Sequence, residues 1–288
     1  MIVVQLLGGM GNQMFQYALG RNLSIKHNTE LLLDNSYLGD NNFNHTSRPF
    51  ALDKFHLKAS ITTKKFKFLK KRSLLNRLGS IFEGQDRLKL VKEPFFYFDE
   101  KIEGAPDNSY LEGYWQSFKY FQGVEDQIRN DFRFTNLQTE KNEIVKKINS
   151  SDSVAVHIRR GDYISNPVTS AYHGVCSMDY YNKAIGMIKK KFPNAVFFIF
   201  SDEPSWVKEN FQLDSEFYIV NNVSDSSSYF DLFLMSSCNH AIIANSSFSW
   251  WGAWLNPYPE KMVIAPAKWF NDNSINASDL IPSKWLRV

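Results

Sequence analysis

The sequence predicts an α/β protein built as two Rossmann-like domains facing each other across a cleft, and three observations carry that reading. After Asp152, apolar runs of four to six residues alternate with helical segments, the pattern of a parallel sheet covered on both faces. The first 35 residues have the same grammar: an apolar strand, a Gly-rich turn, a helix and a second strand. Polar residues able to do chemistry cluster where the apolar runs stop, and such sheets bind ligands beyond the carboxyl ends of their strands.

In chain order, residues 2–6 read as a strand, because no charged leader or cleavage site surrounds them and no run reaches membrane-spanning length. Gly8-Gly-Met-Gly-Asn-Gln13 follows as a turn, then a helix over about 14–27 and a strand at 31–33. The stretch 35–151 is polar, basic and aromatic, with runs at Phe95-Phe-Tyr-Phe98 and Tyr110-Leu-Glu-Gly-Tyr-Trp-Gln116, and reads as mixed structure ending in a helix over 140–149. Polar Asn149-Ser-Ser-Asp152 is the linker candidate, giving an acceptor-side domain 1–151 and a second domain 152–288. In the second half, strands are predicted at 154–158, 196–200, 217–220, 241–244 and 262–265. Helices are predicted at 179–192, 205–211, 229–236 and 250–255.

Composition bounds the function. With 43% apolar and 22% charged residues, the 288-residue chain lies far from the profile of a disordered protein. Two cysteines, Cys176 and Cys238, form neither a disulfide framework nor a zinc cluster, which predicts a reduced, cytoplasmic protein. The formal charge of +3 argues against a nucleic-acid binder, but residues 54–82 hold nine Lys or Arg and no Asp or Glu, leaving −6 for the rest. That segment reads either as a solvated helix face or as a contact with an anionic membrane surface, which would make the protein peripheral to the inner face of the membrane.

The chemistry-bearing motifs sit at predicted strand ends. In Val154-Ala-Val-His-Ile-Arg-Arg-Gly-Asp-Tyr163, His157 and Arg159 share a strand face and Arg160 begins the turn. Guanidinium groups stay charged and bind phosphate bidentately, so Arg159 and Arg160 mark an anion site. Ser201-Asp-Glu203 ends another strand; Ser201 or Asp202 can cap the next helix, and a carboxylate there can accept a guanine edge or a ribose hydroxyl. Asn245, Ser246, Ser247 and Phe248 lead into a helix whose N-terminus suits a diphosphate. The tryptophans behind them read as helix-to-sheet packing.

Gly9 and Gly11 permit close backbone approach to a ligand, with the Asn12 and Gln13 amides as donors, but the third glycine of the dinucleotide fingerprint is missing. No Asp-x-Asp or clustered ligand set implies a metal, so arginine must neutralise the phosphate charge. Tyr114 and Trp115 are of the type that stacks on sugar rings, although most aromatics here will be core.

The segments Gly8–Gly20, His157–Tyr163, Phe200–Glu203 and Asn245–Trp254 together closely resemble bacterial α-1,2-fucosyltransferases, in order and spacing, over nearly the whole chain. The resemblance implies a GT-B fold and metal-independent, inverting transfer of L-fucose from GDP-β-L-fucose to the 2-hydroxyl of a terminal β-galactose in a glycan such as O-antigen. It implies no resident cofactor, GDP-fucose being a co-substrate. It also implies that Arg159 contacts the β-phosphate, His157 lies by the ribose and guanine, Asp202 binds guanine or ribose, and Ser246, Ser247 and Phe248 hold the diphosphate. Asp162 is the carboxylate nearest that machinery, as base or as orienter of the arginines; Glu112 and Asp34 are further candidates for the base, and the acceptor-binding residues have no readable code. Two other readings are a non-catalytic nucleotide-sugar or glycan-binding protein and a transferase for another GDP-sugar.

Overall fold

The apolar run at the start becomes β1 (Ile2–Gln5), buried along its whole length. It feeds α1 (Met10–His27), which starts four residues earlier than predicted because Gly9 takes the extended N-cap conformation, drawing Gly11, Asn12 and Gln13 into the helix. Asn28, in the left-handed region, ends it (φ 49). A Cβ on Gly20 would lie 2.4 Å from Val4 and 2.8 Å from Leu31, so glycine lets α1 lie close on β1 and β2 (Leu31–Asp34). The computed structural model describes residues 1–39, 48–64, 66–68, 87–135, 137, 139–140, 142–220 and 227–288. Much of the basic segment 54–82 therefore lies outside the described residues.

Packing divides the chain into Met1–Arg133 and Phe134–Val288. The first unit adds β3 (Ser60–Thr62), β4 (Lys67–Phe68), β5 (Arg87–Lys92), α2 (Glu100–Glu103), β6 (Ser109–Glu112), a 3-10 helix Phe118–Val124 and α3 (Glu125–Asp131). Its strands pair in parallel in the order β3-β2-β1-β6-β5-β4. Buried Asp131 accepts from the Tyr17 hydroxyl (2.7 Å) and Arg21 (2.9 Å), tying α1 to α3.

The second unit opens with α4 (Glu143–Asn149), capped by Asn142, whose side chain accepts the Ile144 and Val145 N–H groups. The division at 133/134 thus places this helix, and the 151/152 boundary read from the sequence, inside the second unit. There follow β7 (Ser153–Ile158), α5 (Gly161–Ser165), α6 (Pro167–His173), α7 (Met178–Lys191), β8 (Val196–Ser201), α8 (Pro204–Asn210) and β9 (Phe217–Val220). The chain ends with α9 (Ser227–Ser237), β10 (His240–Ile242), α10 (Ser247–Leu255), β11 (Val263–Ala265) and β12 (Leu286–Arg287).

The second sheet is also parallel, in the order β12-β11-β10-β7-β8-β9. All six residues of β7 are buried, as a two-sided sheet requires. α7 turns Tyr181, Ala184, Ile185 and Ile188 into the core while its last turn carries Lys189, Lys190 and Lys191, which favour the negative end of the helix. Strand order reverses between β7 and β10, and the crevice outside such a switch point is where doubly wound sheets bind ligands.

Candidate functional site

The motifs of the second half occupy this switch point. Arg159 follows the last residue of β7, and its guanidinium is clamped by Asp162 (2.5 Å) and Asp202 (3.0 Å) while resting 5.5 Å over the Tyr163 ring. Burial opposes its charge, but Asp202 and Asp162 outweigh burial and hold its pKa above the ordinary arginine value. Arg160 turns away, its Nε donating to Glu203 (3.1 Å) and its guanidinium lying 3.6 Å over the Trp206 ring. Two cations therefore meet three carboxylates.

Asp202 takes the Arg160 backbone N–H on one oxygen (3.0 Å) and Arg159 on the other. Its carboxylate thus braces the end of β7. Gly161 lies tight beside it, since a Cβ there would come within 2.5 Å of Asp202 Oδ2 and the carboxylate would have to shift. Neither Ser201 nor Asp202 caps α8: Glu203 stands at the cap with Pro204 inside the first turn, and Ser201 Oγ accepts the Glu203 N–H (3.0 Å), closing the preceding turn.

β10 leads to the other wall. Asn245 is buried, its amide donating to the carbonyls of His173, Gly174 and Trp269, and its Oδ1 accepting from Cys176. Its side chain is thus engaged as a strut between loops. Ser246 stands at the N-cap of α10 with extended backbone, and its hydroxyl makes no cap bond. Ser247 and Phe248 form the first helical turn and are half-exposed. Behind them Trp250 and Trp251 are fully buried, as the packing reading predicts.

His157, on β7, is 6% exposed, and its ring lies 5.8 Å from that of Phe248. Burial, aided by Arg159, pushes its pKa down to about 3, so the imidazole is neutral, and its Nδ1 is buried without a partner. Sequence reasoning passed over Tyr163 and His173, which stack at 4.8 Å beside Arg159 and Asp162; burial lowers the His173 pKa to about 4. It also missed Trp206. Ring contacts of this kind join residues distant in sequence and leave no local pattern.

Gly9, Gly11 and Asn12 belong to the first unit, at the N-terminus of α1. Asn12 Oδ1 accepts from Gln116 (2.8 Å). Gln13 is buried and binds the Gly8 and Pro49 carbonyls and the Ala51 N–H, so its amide serves the loops of its own unit and not a ligand. Of the carboxylates considered as bases, Glu112 pairs with Lys92 (2.7 Å) and buried Asp34 accepts from the Tyr110 hydroxyl (2.7 Å). Among the described residues, no group of three or more His, Cys, Asp or Glu could hold a metal ion.

Arginines and a helix N-terminus at two neighbouring strand ends suit an anionic ligand. The sequence profile of Glycosyl transferase family 11 matches residues 89–288. The chain belongs to glycosyl transferase family 11. This makes it an enzyme of the glycosyltransferase superfamily. It is 36% identical over 291 residues to the alpha-1,2-colitosyltransferase of Escherichia coli, covering 100% of this chain and 98% of that protein. It is 37% identical over 303 residues to the O-antigen biosynthesis glycosyltransferase WbnK of Escherichia coli, covering 98% and 99% respectively. The crystal structure of POFUT1 in complex with GDP-fucose shares the fold with a TM-score of 0.51 at 16% identity, covering 90% of this chain and 95% of that chain. The family 11 chain accordingly has an α/β fold with two sheet-containing regions and GT-B-like architecture.

Proposed function

We propose that this protein is a metal-independent, inverting α-1,2-fucosyltransferase that transfers L-fucose from GDP-β-L-fucose to the 2-hydroxyl of a terminal β-galactose in a glycan of the O-antigen type. The observation that carries the donor half of this reading is Arg159, held by two carboxylates at the β7–β10 switch point next to the strand that opens α10. In the transfer, the acceptor hydroxyl oxygen forms a bond to the sugar C1 and gives up its proton to solvent as the bond from C1 to the diphosphate oxygen breaks. The electron pair, and with it negative charge, moves onto GDP. Preorganised donors aimed at that charge lower the barrier. Asp162 and Asp202 leave further N–H donors on the Arg159 guanidinium for the β-phosphate.

Ser246, Ser247 and the first-turn amides of α10 would take the other phosphate oxygens, and neutral His157 with Phe248 would flank the nucleoside. Asp162 and Asp202 act in this reading by positioning Arg159, and Asn245 by holding the loops. Gly9, Gly11 and Asn12, at the N-terminus of α1, are the first unit's candidate donor-binding residues in this reading. The similarity to an O-antigen enzyme supports the choice of acceptor.

A second reading has a specific basis: the full-length relative that transfers colitose, a fucose lacking the 3-hydroxyl. Incubating the protein and a β-galactoside in EDTA with GDP-fucose, GDP-colitose or GDP-mannose separates them. The expected result is release of GDP with GDP-fucose and an α-1,2 linkage by NMR. Turnover with GDP-colitose alone would replace the donor; binding of GDP-sugars without turnover would leave a binding protein.

A further inference from the structure

Three unfavourable features meet in the first unit. Trp115, fully buried, sits in the left-handed region at φ 59, where a bulky residue stays only under constraint from its surroundings. Its indole N–H is buried with no hydrogen-bond partner. Beside it the half-buried Glu93 carboxylate accepts the N–H groups of Tyr114 (2.7 Å) and Trp115 (2.9 Å), and desolvation pushes its pKa up to about 7. Strained backbone that persists is concentrated at ligand clamps and active sites.

The place fits that rule. The first sheet reverses its strand order between β1 and β6, and the 113–116 turn leaves β6 at the carboxyl edge. Gln16 donates to the Gly113 carbonyl (3.1 Å) and Gln116 to Asn12 (2.8 Å), tying this turn to the first turns of α1. No side chain fits at Gly113, where a Cβ would lie 2.4 Å from that of Glu93. The turn is held rigidly.

The chain leaving the neighbouring strand β5 carries Phe95, Phe96, Tyr97 and Phe98 directly after Glu93 and Pro94. Phe98 packs inward on Tyr120 (5.0 Å) and Phe96 stands near Tyr114 (6.4 Å). Phe95 is 53% exposed, yet its ring lies parallel to Tyr97 at 4.9 Å. An exposed aromatic plane on an anchored turn, at the ligand-binding edge of a sheet, matches the apolar C–H face of a pyranose.

We propose that the 93–98 and 113–116 turns form the acceptor-sugar subsite of the first unit, with the Phe95 ring stacking on the C–H face of the β-galactose. This deepens the function proposed above and rests on it for the identity of the sugar. Saturation-transfer NMR of methyl β-galactoside on the full chain tests the subsite with no donor present. Wild type should show the signal, Phe95→Ala should weaken binding about tenfold, and Phe95→Trp should restore it. GDP affinity and melting temperature should be the same in all three. Equal signals in wild type and Phe95→Ala, or none in wild type, overturn the subsite. Failure of the fucose reading appears separately, as absent turnover of GDP-fucose.

Discussion

At the scale of single residues, the arginine pair divides its labour. Arg160 is committed to Glu203 and Trp206, whereas Arg159 is held by carboxylates that fix its direction without using all its donors. Replacing Arg159 with alanine should cost on the order of 3 kcal/mol in barrier, ~100-fold in rate, while circular dichroism stays unchanged. Undiminished turnover in that folded variant would sink the proposed role. Asp202 shows what the sequence concealed. Its position at a strand end is legible, but its two oxygens meet the Arg160 N–H and the Arg159 guanidinium, forty-odd residues earlier, and brace the end of β7.

At the scale of elements, strands and helices were legible because buried parallel strands are continuous apolar runs, as in the Val196–Ser201 strand, and helices such as Met178–Lys191 repeat every three to four residues. The start of the Met10–His27 helix was not, since Gly9-Met-Gly11 reads as a turn until Gly9 is seen to cap it. The turn beyond β6 was equally hidden, being set by a glutamate twenty residues away. Its charge makes a prediction. With Glu93 raised in the folded state to about 7 from 4.5, its contribution to stability is fully present below the unfolded pKa and is lost as pH rises through about 7. The melting temperature of Glu93→Gln relative to wild type should therefore climb between pH 5 and pH 8. A difference that stays flat would mean that Glu93 is not titrating in this window.

At the scale of the whole molecule, two parallel sheets, each reversing its strand order, make two ligand edges in one chain. The anion-directed groups belong to Phe134–Val288, and the exposed aromatic plane to Met1–Arg133. Phe134–Val288 expressed alone should bind GDP by calorimetry with an affinity within about tenfold of the full chain, yet transfer no sugar. A folded fragment that fails to bind GDP would assign the donor to other residues.

By itself the sequence determined the α/β class, the strand-end placement of His157, Arg159 and Ser246, and the family resemblance, because burial periodicity and motif order are local properties of a chain. Only the tertiary structure decided which strand ends become neighbours, that Asn245 and Gln13 are struts, and that Asp162 and Asp202 converge on one guanidinium. The same holds for the strain at Trp115 and the open ring of Phe95. These depend on strand order and on contacts between distant residues, which no window of sequence contains.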